Sequence, residues 1–197
     1  MCSHIIHVLE QASELSVCYY FCNSLGAGSV CSQILKTMAL QLLRSHLDLA
    51  SLIVNEYVDR LLNCSTKQLR ILIPQILELV PCTRLVIDGL DECSLGDQKE
   101  VLREIQSLCV RPSVRCKILI SSRREVYIRE KLSSSQHIPL EEREEVQSDI
   151  RLYVKYKMTK LRTSNVDLRS EIESLLVEKA NGNISIKIWQ EAEFKSN

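Results

Sequence analysis

The sequence predicts an α/β fold in which helices cover a parallel sheet. Two observations support this prediction. Short apolar runs of strand length alternate along the chain with longer segments whose apolar residues recur at helical spacing. In addition, 197 residues with 45% apolar content are enough to fill one core. Because a helix between successive strands allows those strands to run parallel, the alternation favours a parallel, helix-covered sheet.

Four short segments predict the strands. Ser16–Cys22 is rich in β-branched and aromatic residues and is followed by polar residues and glycines. Arg84–Asp88 and Cys116–Ile120 are apolar runs that end abruptly in charged or hydroxyl residues, as buried strands do. A brief fourth strand is expected near His137–Leu140.

Helical periodicity predicts the remaining elements. Apolar residues at spacings of three and four predict amphipathic helices over Val30–Arg44, over Leu69–Val80 and around Val101–Leu108. The charged run Glu141–Glu145 opens a long helix, and a last helix covers Asp167–Ala180. We therefore expect a core over residues 1–140, a helical segment over 141–182 and a disordered polar tail over 183–197.

Composition excludes several classes of partner. Lys plus Arg and Asp plus Glu each number 25, so no net field draws the chain to nucleic acid or to a membrane surface. No run of 18 apolar residues and no signal peptide occur. The nine cysteines form no CxxC pair and favour buried, reduced thiols in a cytoplasmic protein. The expected partners are other proteins or a second copy of the chain.

An acidic loop follows the strand Arg84–Asp88. Asp88 ends the strand, and Asp91 and Glu92 follow Gly89. Ligands of open α/β sheets collect at the carboxyl ends of strands, where an unpaired charge is costly. A magnesium ion held by Asp88 through water, with Asp91 or Glu92 orienting an attacking water, explains this cluster. The alternative is an acidic loop that caps the next helix; three acids around a glycine favour the metal.

Arg123 occupies the matching position after the next strand. The run Ser121-Ser122-Arg123-Arg124 follows Cys116–Ile120, so Arg123 lies at the same edge of the sheet as Asp88. A guanidinium at this edge is suited to the γ-phosphate of a nucleotide. The alternative is a helix cap with surface charges, and these residues leave the two interpretations evenly balanced.

The motifs DGLDEC at Asp88–Cys93 and KILISSRR at Lys117–Arg124 resemble those of the NACHT branch of the STAND class of P-loop NTPases, especially its fungal and nephrocystin-like members. The resemblance covers about Cys2–Ala180, and the helix containing EVQSDIRLYVKYKM supports it. It implies a P-loop NTPase-type sheet, a Walker B magnesium residue at Asp88, two acids beyond it, and a sensor-like arginine at Arg123. The implied cofactor is Mg with ATP or GTP.

The chain departs from this family in its phosphate-binding loop. A P-loop requires GxxxxGK[ST], and none of the five glycines precedes a lysine. The chain is thus expected to begin just after the loop, inside the first helix, and to bind no nucleotide or magnesium tightly. The expected function is a degenerate NACHT-type nucleotide-binding module without hydrolysis. The alternatives are a nucleotide-switched hydrolase whose Walker A segment lies upstream, a protein-interaction scaffold, and, less favoured, a phospho-acceptor receiver domain.

The missing strand has a consequence for the sheet. In the strand order that the resemblance implies, the Walker A strand lies between Cys116–Ile120 and the strand near His137. Without it, Cys116–Ile120 is expected to become an exposed, aggregation-prone edge or the sheet is expected to close up.

Overall fold

A computed structural model of the chain describes residues 2–23, 28–49, 65–80, 82–140, 143–159, 166–180 and 185–189. Within these ranges helices alternate with strands, which confirms the α/β class. The strands are β1 Ser16–Phe21, β2 Thr83–Asp88, β3 Cys116–Ser122, β4 Gln136–Pro139 and β5 Ser185–Trp189. The helices are α1 Cys2–Glu10, α2 Val30–Ser45, α3 Thr66–Leu79, α4 Leu95–Cys109, α5 Val126–Lys131, α6 Glu144–Thr159 and α7 Val166–Ala180.

The described strands form one sheet in the order β1-β2-β3-β5-β4. β1, β2 and β3 are parallel, and Phe21 at the end of β1 is in register with Asp88 at the end of β2. The carboxyl ends of these three strands therefore meet at one edge, which is where the acidic loop begins.

Side chains alternate between the two faces of the sheet. Leu85 and Ile87 of β2 face the larger core cluster beneath α2, α3 and α4, whereas Val86 packs with Cys2 and Ile6 of α1 on the other face. Because both faces of β2 are covered, its sequence is a continuous apolar run instead of an alternating one. This burial fixes the strand, and with it the position of Asp88.

Helix α2 covers the outer edge of β1. The Gln41 side chain accepts a hydrogen bond from the Tyr19 backbone N–H at 2.9 Å and donates one to the Tyr19 carbonyl at 3.3 Å. The N–H and C=O of one residue in this edge strand therefore have partners that a further strand would otherwise supply, which limits pairing with another chain.

The sheet does not contain the gap that was expected beside β3. β5 lies between β3 and β4 and is antiparallel to both. β3 therefore has a neighbour on each side, and the expectation of an exposed edge at Cys116–Ile120 is wrong. The segment 183–197 was expected to be a disordered tail, but Ser185–Trp189 forms this strand. The physical reason is that the backbone groups of β3 and β4 need hydrogen-bond partners, and an extended segment supplies them.

The element boundaries otherwise follow the sequence closely. Each predicted helix and strand is present with its ends moved by a few residues, although Glu141 and Glu142, where the long helix was expected to open, lie outside the described residues. The short helix α5 was not predicted. None of the described helices has the length and apolar content needed to cross a membrane. Eight cysteines are described as free thiols, and all of them except Cys82 are buried.

Candidate functional site

A cleft of about 320 Å³ opens at the carboxyl edge of β1, β2 and β3. It is lined by the start of α1, the ends of the three strands and the acidic turn after β2. Its residues are Cys2, Phe21, Cys22, Asp88, Gly89, Asp91, Glu92, Ser121, Ser122 and Arg123. The four predicted site residues, Asp88, Asp91, Glu92 and Arg123, are therefore brought together in one cleft.

Asp88 is half-buried at the end of β2, where its carbonyl accepts a hydrogen bond from the Cys22 N–H at 2.8 Å. The Cys2 side chain lies near the Asp88 carboxylate and Ser121, and all three residues line the cleft. Burial and the neighbouring Asp88 carboxylate together raise the pKa of Cys2 to about 11, and Ser121 opposes the rise. Cys2 therefore stays a neutral thiol at neutral pH.

Gly89 turns the chain sharply after Asp88. Its φ of +72° lies in the left-handed region, and its N–H donates to the Ser121 carbonyl at 3.0 Å. The residues Leu90–Glu92 then form one 3-10 turn, in which Leu90 is fully buried. This turn places Asp91 towards β3 and leaves Glu92 exposed on the cleft.

Asp91 is engaged by the end of β3. Its Oδ1 accepts a hydrogen bond from the Arg123 backbone N–H at 2.9 Å, and its Oδ2 lies 3.4 Å from the Arg123 Nε. The Asp91 side chain is only 7% exposed, while that of Arg123 is 66% exposed. Asp91 therefore ties two loops together, and of the two predicted acids Glu92 is the more accessible to water.

Sequence reasoning missed several lining residues of the cleft, among them Cys2, Cys22 and Ser121. Cys2 begins α1, and Cys22 follows β1, so both reach the sheet edge because of where their elements begin or end. Ser121 was named only as part of a motif, yet its side chain is buried beside Cys2. Their positions could have indicated them, because each lies at or next to an end of a helix or strand.

The oxygen atoms that line the cleft suit a metal ion whose remaining ligands come from water and a bound phosphate. In the part of the chain that the structure describes, no three His, Cys, Asp or Glu side chains are grouped so as to hold a metal ion. Magnesium characteristically takes one or two carboxylates and completes its shell with water and phosphate oxygens. Asp88, with the Ser121 and Ser122 hydroxyls nearby, fits that mode.

One of three comparisons with known proteins identifies a family. No curated protein and no solved structure matches the chain. The family described as nephrocystin 3, N-terminal, matches residues 1–123, which is more than half of the 197 residues. The match extends from α1 to the end of β3 and includes all four predicted site residues. The chain therefore belongs to the nephrocystin 3 N-terminal family.

Proposed function

We propose that the cleft around Asp88 is the metal-facing half of a Mg-nucleotide site. The chain would be a NACHT-type nucleotide-binding module of a STAND signalling protein, without hydrolysis of its own. The observation that supports this proposal best is the convergence of one half-buried carboxylate, an exposed acid and an exposed guanidinium in a cleft at the carboxyl edge of a parallel sheet.

Each residue has a distinct proposed role. Asp88 would hold magnesium through a coordinated water, and the ion would neutralise the charge on the nucleotide phosphates. Glu92 is exposed on the cleft and would orient a water near the terminal phosphate. Arg123 has its guanidinium two-thirds exposed and 3.4 Å from Asp91, so it can move to a phosphate while its backbone N–H keeps the Asp91 contact.

The affinity of this half-site is expected to be low. Phosphate cradles supply backbone N–H groups and a lysine, and no GxxxxGK[ST] run occurs among the 197 residues. Loss of only three charge-assisted hydrogen bonds costs about 4.5 kcal/mol, or roughly a thousandfold in affinity. A site of micromolar affinity would thus become millimolar.

Calorimetric titration with Mg-ATP and with Mg-GTP tests the affinity. We expect no dissociation constant tighter than about 1 mM and no Mg-dependent hydrolysis. A micromolar constant that Asp88→Asn abolishes would show that the chain holds a complete site and would contradict the proposed degeneracy.

A gain-of-function fusion tests the site itself. A strand followed by GxxxxGKS, joined ahead of Cys2, should restore Mg-nucleotide binding if Asp88 and Arg123 still face the phosphates. Asp88→Asn should then remove the restored binding, whereas Asp149→Asn, the same change at an exposed position on α6, should leave it intact. If a folded fusion binds nucleotide equally well with and without Asp88→Asn, Asp88 is not the metal residue.

A protein-binding role is the second candidate, and the exposed face of α6 favours it. Leu152 is 63% exposed, Tyr153 60% and Tyr156 56%, so three large side chains project from one helix. We propose that this face contacts a second protein or a second copy of the chain. Sedimentation velocity of the chain and of a Leu152→Glu, Tyr153→Glu double variant tests self-association, and identical monomeric behaviour of both would exclude the second copy.

A further inference from the structure

We propose that the chain associates head to tail, with the outward face of α6 in one copy bound to a basic surface formed by α4 and α5 of the next copy. This inference rests on the protein-binding role proposed for α6 and deepens it, because it identifies a second copy as the partner and names the surface that receives the helix. It does not involve nucleotide binding.

The charges of α4 lie on two separate stripes of the helix. Glu100 and Glu104 are four positions apart, and both bind the guanidinium of Arg70 on α3, at 2.8 Å and 2.7 Å. Lys99 and Arg103 are also four positions apart and form a neighbouring stripe. Both are exposed, and neither takes part in an ion pair with another described residue. The acids of α4 are therefore neutralised within the chain, whereas its two exposed bases are not.

Helix α5 adds a third base and an aromatic ring to this stripe. The Gln106 side chain, three positions after Arg103, donates to the Lys131 carbonyl at 3.3 Å. The ammonium groups of Lys99 and Lys131 lie 5.5 Å and 5.9 Å from the centroid of the Tyr127 ring. Lys131 is exposed and likewise has no acidic partner among the described residues. We call Lys99, Arg103, Lys131 and Tyr127 the basic surface.

The outward face of α6 has the complementary chemistry. Glu145, Asp149, Leu152 and Tyr156 follow one another at spacings of four, three and four residues, so they form one stripe along the helix. All four are exposed, whereas the buried positions of this helix point to the other side. The stripe is acidic in its first half and apolar in its second half. We call these four residues the α6 stripe.

Charge complementarity identifies a second copy as the partner. The two acids of the α6 stripe match bases that have no acidic partner within their own chain, and its apolar half can pack on the half-buried Tyr127 and on Val126, which is exposed beside it. The chain has no net charge, so two copies do not repel each other at long range. Because the two surfaces are different patches of one chain, each contact leaves one of each surface free, and association continues head to tail.

Charge reversal of each surface tests the contact in the full chain. Glu145→Lys with Asp149→Lys reverses the α6 stripe, and Lys99→Glu with Arg103→Glu reverses the basic surface. Sedimentation equilibrium should show that the unmodified chain self-associates and that each double variant associates more weakly by roughly tenfold or more, because like charges then face each other. The quadruple variant restores opposite charges and zero net charge, so it should associate like the unmodified chain.

Matched controls separate this contact from a general effect of charge. Arg44→Glu with Lys67→Glu makes the same change in net charge at exposed positions of α2 and α3, and should leave association close to that of the unmodified chain. Lys131→Glu reverses the base on α5 and should weaken association independently of the α4 variant. Raising NaCl from 0.1 M to 1 M should also weaken it, because the Debye length falls from about 10 Å to about 3 Å. Circular dichroism establishes that each variant is folded.

Three results would overturn the proposal. The first is an unmodified chain that is monomeric at every concentration. The second is a reversed basic surface that associates as strongly as the matched control, and the third is a quadruple variant that stays dissociated. Each of these leaves α6 free to bind a different protein. The role of α6 itself fails separately, if Leu152→Glu with Tyr153→Glu leaves self-association unchanged while reversal of the basic surface weakens it.

Discussion

The carboxylate of Asp91 holds the backbone of Arg123, because Oδ1 accepts the Arg123 N–H at 2.9 Å. The ion pair between the side chains is longer, at 3.4 Å, and involves a guanidinium that is 66% exposed. A surface ion pair of this kind contributes about 0–1 kcal/mol, while a buried acceptor for a backbone N–H contributes more. The main effect of Asp91 is therefore to fix the chain after β3.

Asp91→Ala should lower the free energy of unfolding by about 1–3 kcal/mol, since it leaves the Arg123 N–H without its acceptor. Asp91→Asn keeps an acceptor and should cost less. Urea denaturation measures both. Glu92→Ala provides the matched control, because it removes an exposed carboxylate from the same turn and should be nearly neutral. Equal losses for Asp91→Ala and Arg123→Ala would instead show that the ion pair dominates.

Gly89→Ala should destabilise the protein by about 1–2 kcal/mol, because φ at this residue is +72° and a side chain there is strained. A β-carbon would also lie 3.4 Å from the Glu92 carboxylate. Gly96→Ala is the control, since Gly96 lies in helix α4, where alanine is favoured by up to about 1 kcal/mol. Thermal unfolding of both variants should shift in opposite directions. If Gly89→Ala leaves the stability unchanged, the backbone of the turn can change conformation to accommodate a side chain.

The position of Asp88 was predictable because a short, β-branched apolar run that ends abruptly in polar residues is typical of a strand covered on both faces, and such a strand ends at the sheet edge. The role of Asp91 was not predictable, since its hydrogen bond joins residues 32 positions apart. β5 was missed for a different reason. Ile186 and Ile188 alternate with Ser185 and Lys187 in a period of two, which favours a strand, but the polar composition of the surrounding segment indicated a tail.

Stability should fall above pH 9, because burial raises the pKa of the Cys18 thiol from its ordinary value of 9.0 to about 12. Above pH 9 the unfolded chain binds fewer protons than the folded chain, so the free energy of unfolding declines as pH rises. For this thiol the slope approaches about 1.4 kcal/mol per pH unit between the two values. The contribution of the buried Cys18 thiol to stability is fully present below pH 9 and is lost as the pH rises through 12.

Urea denaturation at several pH values, with a reductant present, measures this slope. Cys18→Ala removes one of several buried thiols whose pKa is raised, so it should make the decline with pH less steep. Parallel curves for Cys18→Ala and the unmodified chain would show that other groups control the alkaline transition.

Gln41→Ala should destabilise the protein by about 1–2 kcal/mol, because it removes the hydrogen bonds to the backbone N–H and C=O of Tyr19 at the outer edge of β1. It should also promote association through this edge, which light scattering detects. Gln75→Ala changes an exposed glutamine on α3 and serves as the control. Unchanged stability and scattering for Gln41→Ala would show that water replaces the side chain without cost.

The strongest test of the sheet uses the alternation of backbone groups along β3. The Ser121 carbonyl accepts from Gly89, so the backbone groups of Ser121 and its alternate neighbours face β2. The groups of Ile118, Ile120 and Ser122 then face β5, where their register partners are Trp189, Lys187 and Ser185. Ile188 lies between Lys187 and Trp189 along β5, so its N–H faces β4.

Two proline substitutions therefore have different effects on amide hydrogen exchange. Lys187→Pro removes an N–H that faces β3 and should accelerate exchange at Ile118 and Ile120, while Leu119 stays protected by β2. Ile188→Pro removes an N–H that faces β4, where its register partner is Gln136, and should accelerate exchange at Gln136 more than at Ile120. Residue-resolved exchange measured by NMR separates these amides. Fast exchange at Ile120 in the unmodified chain would mean that β5 does not pair with β3 in solution, and the edge expected from the sequence would then be present.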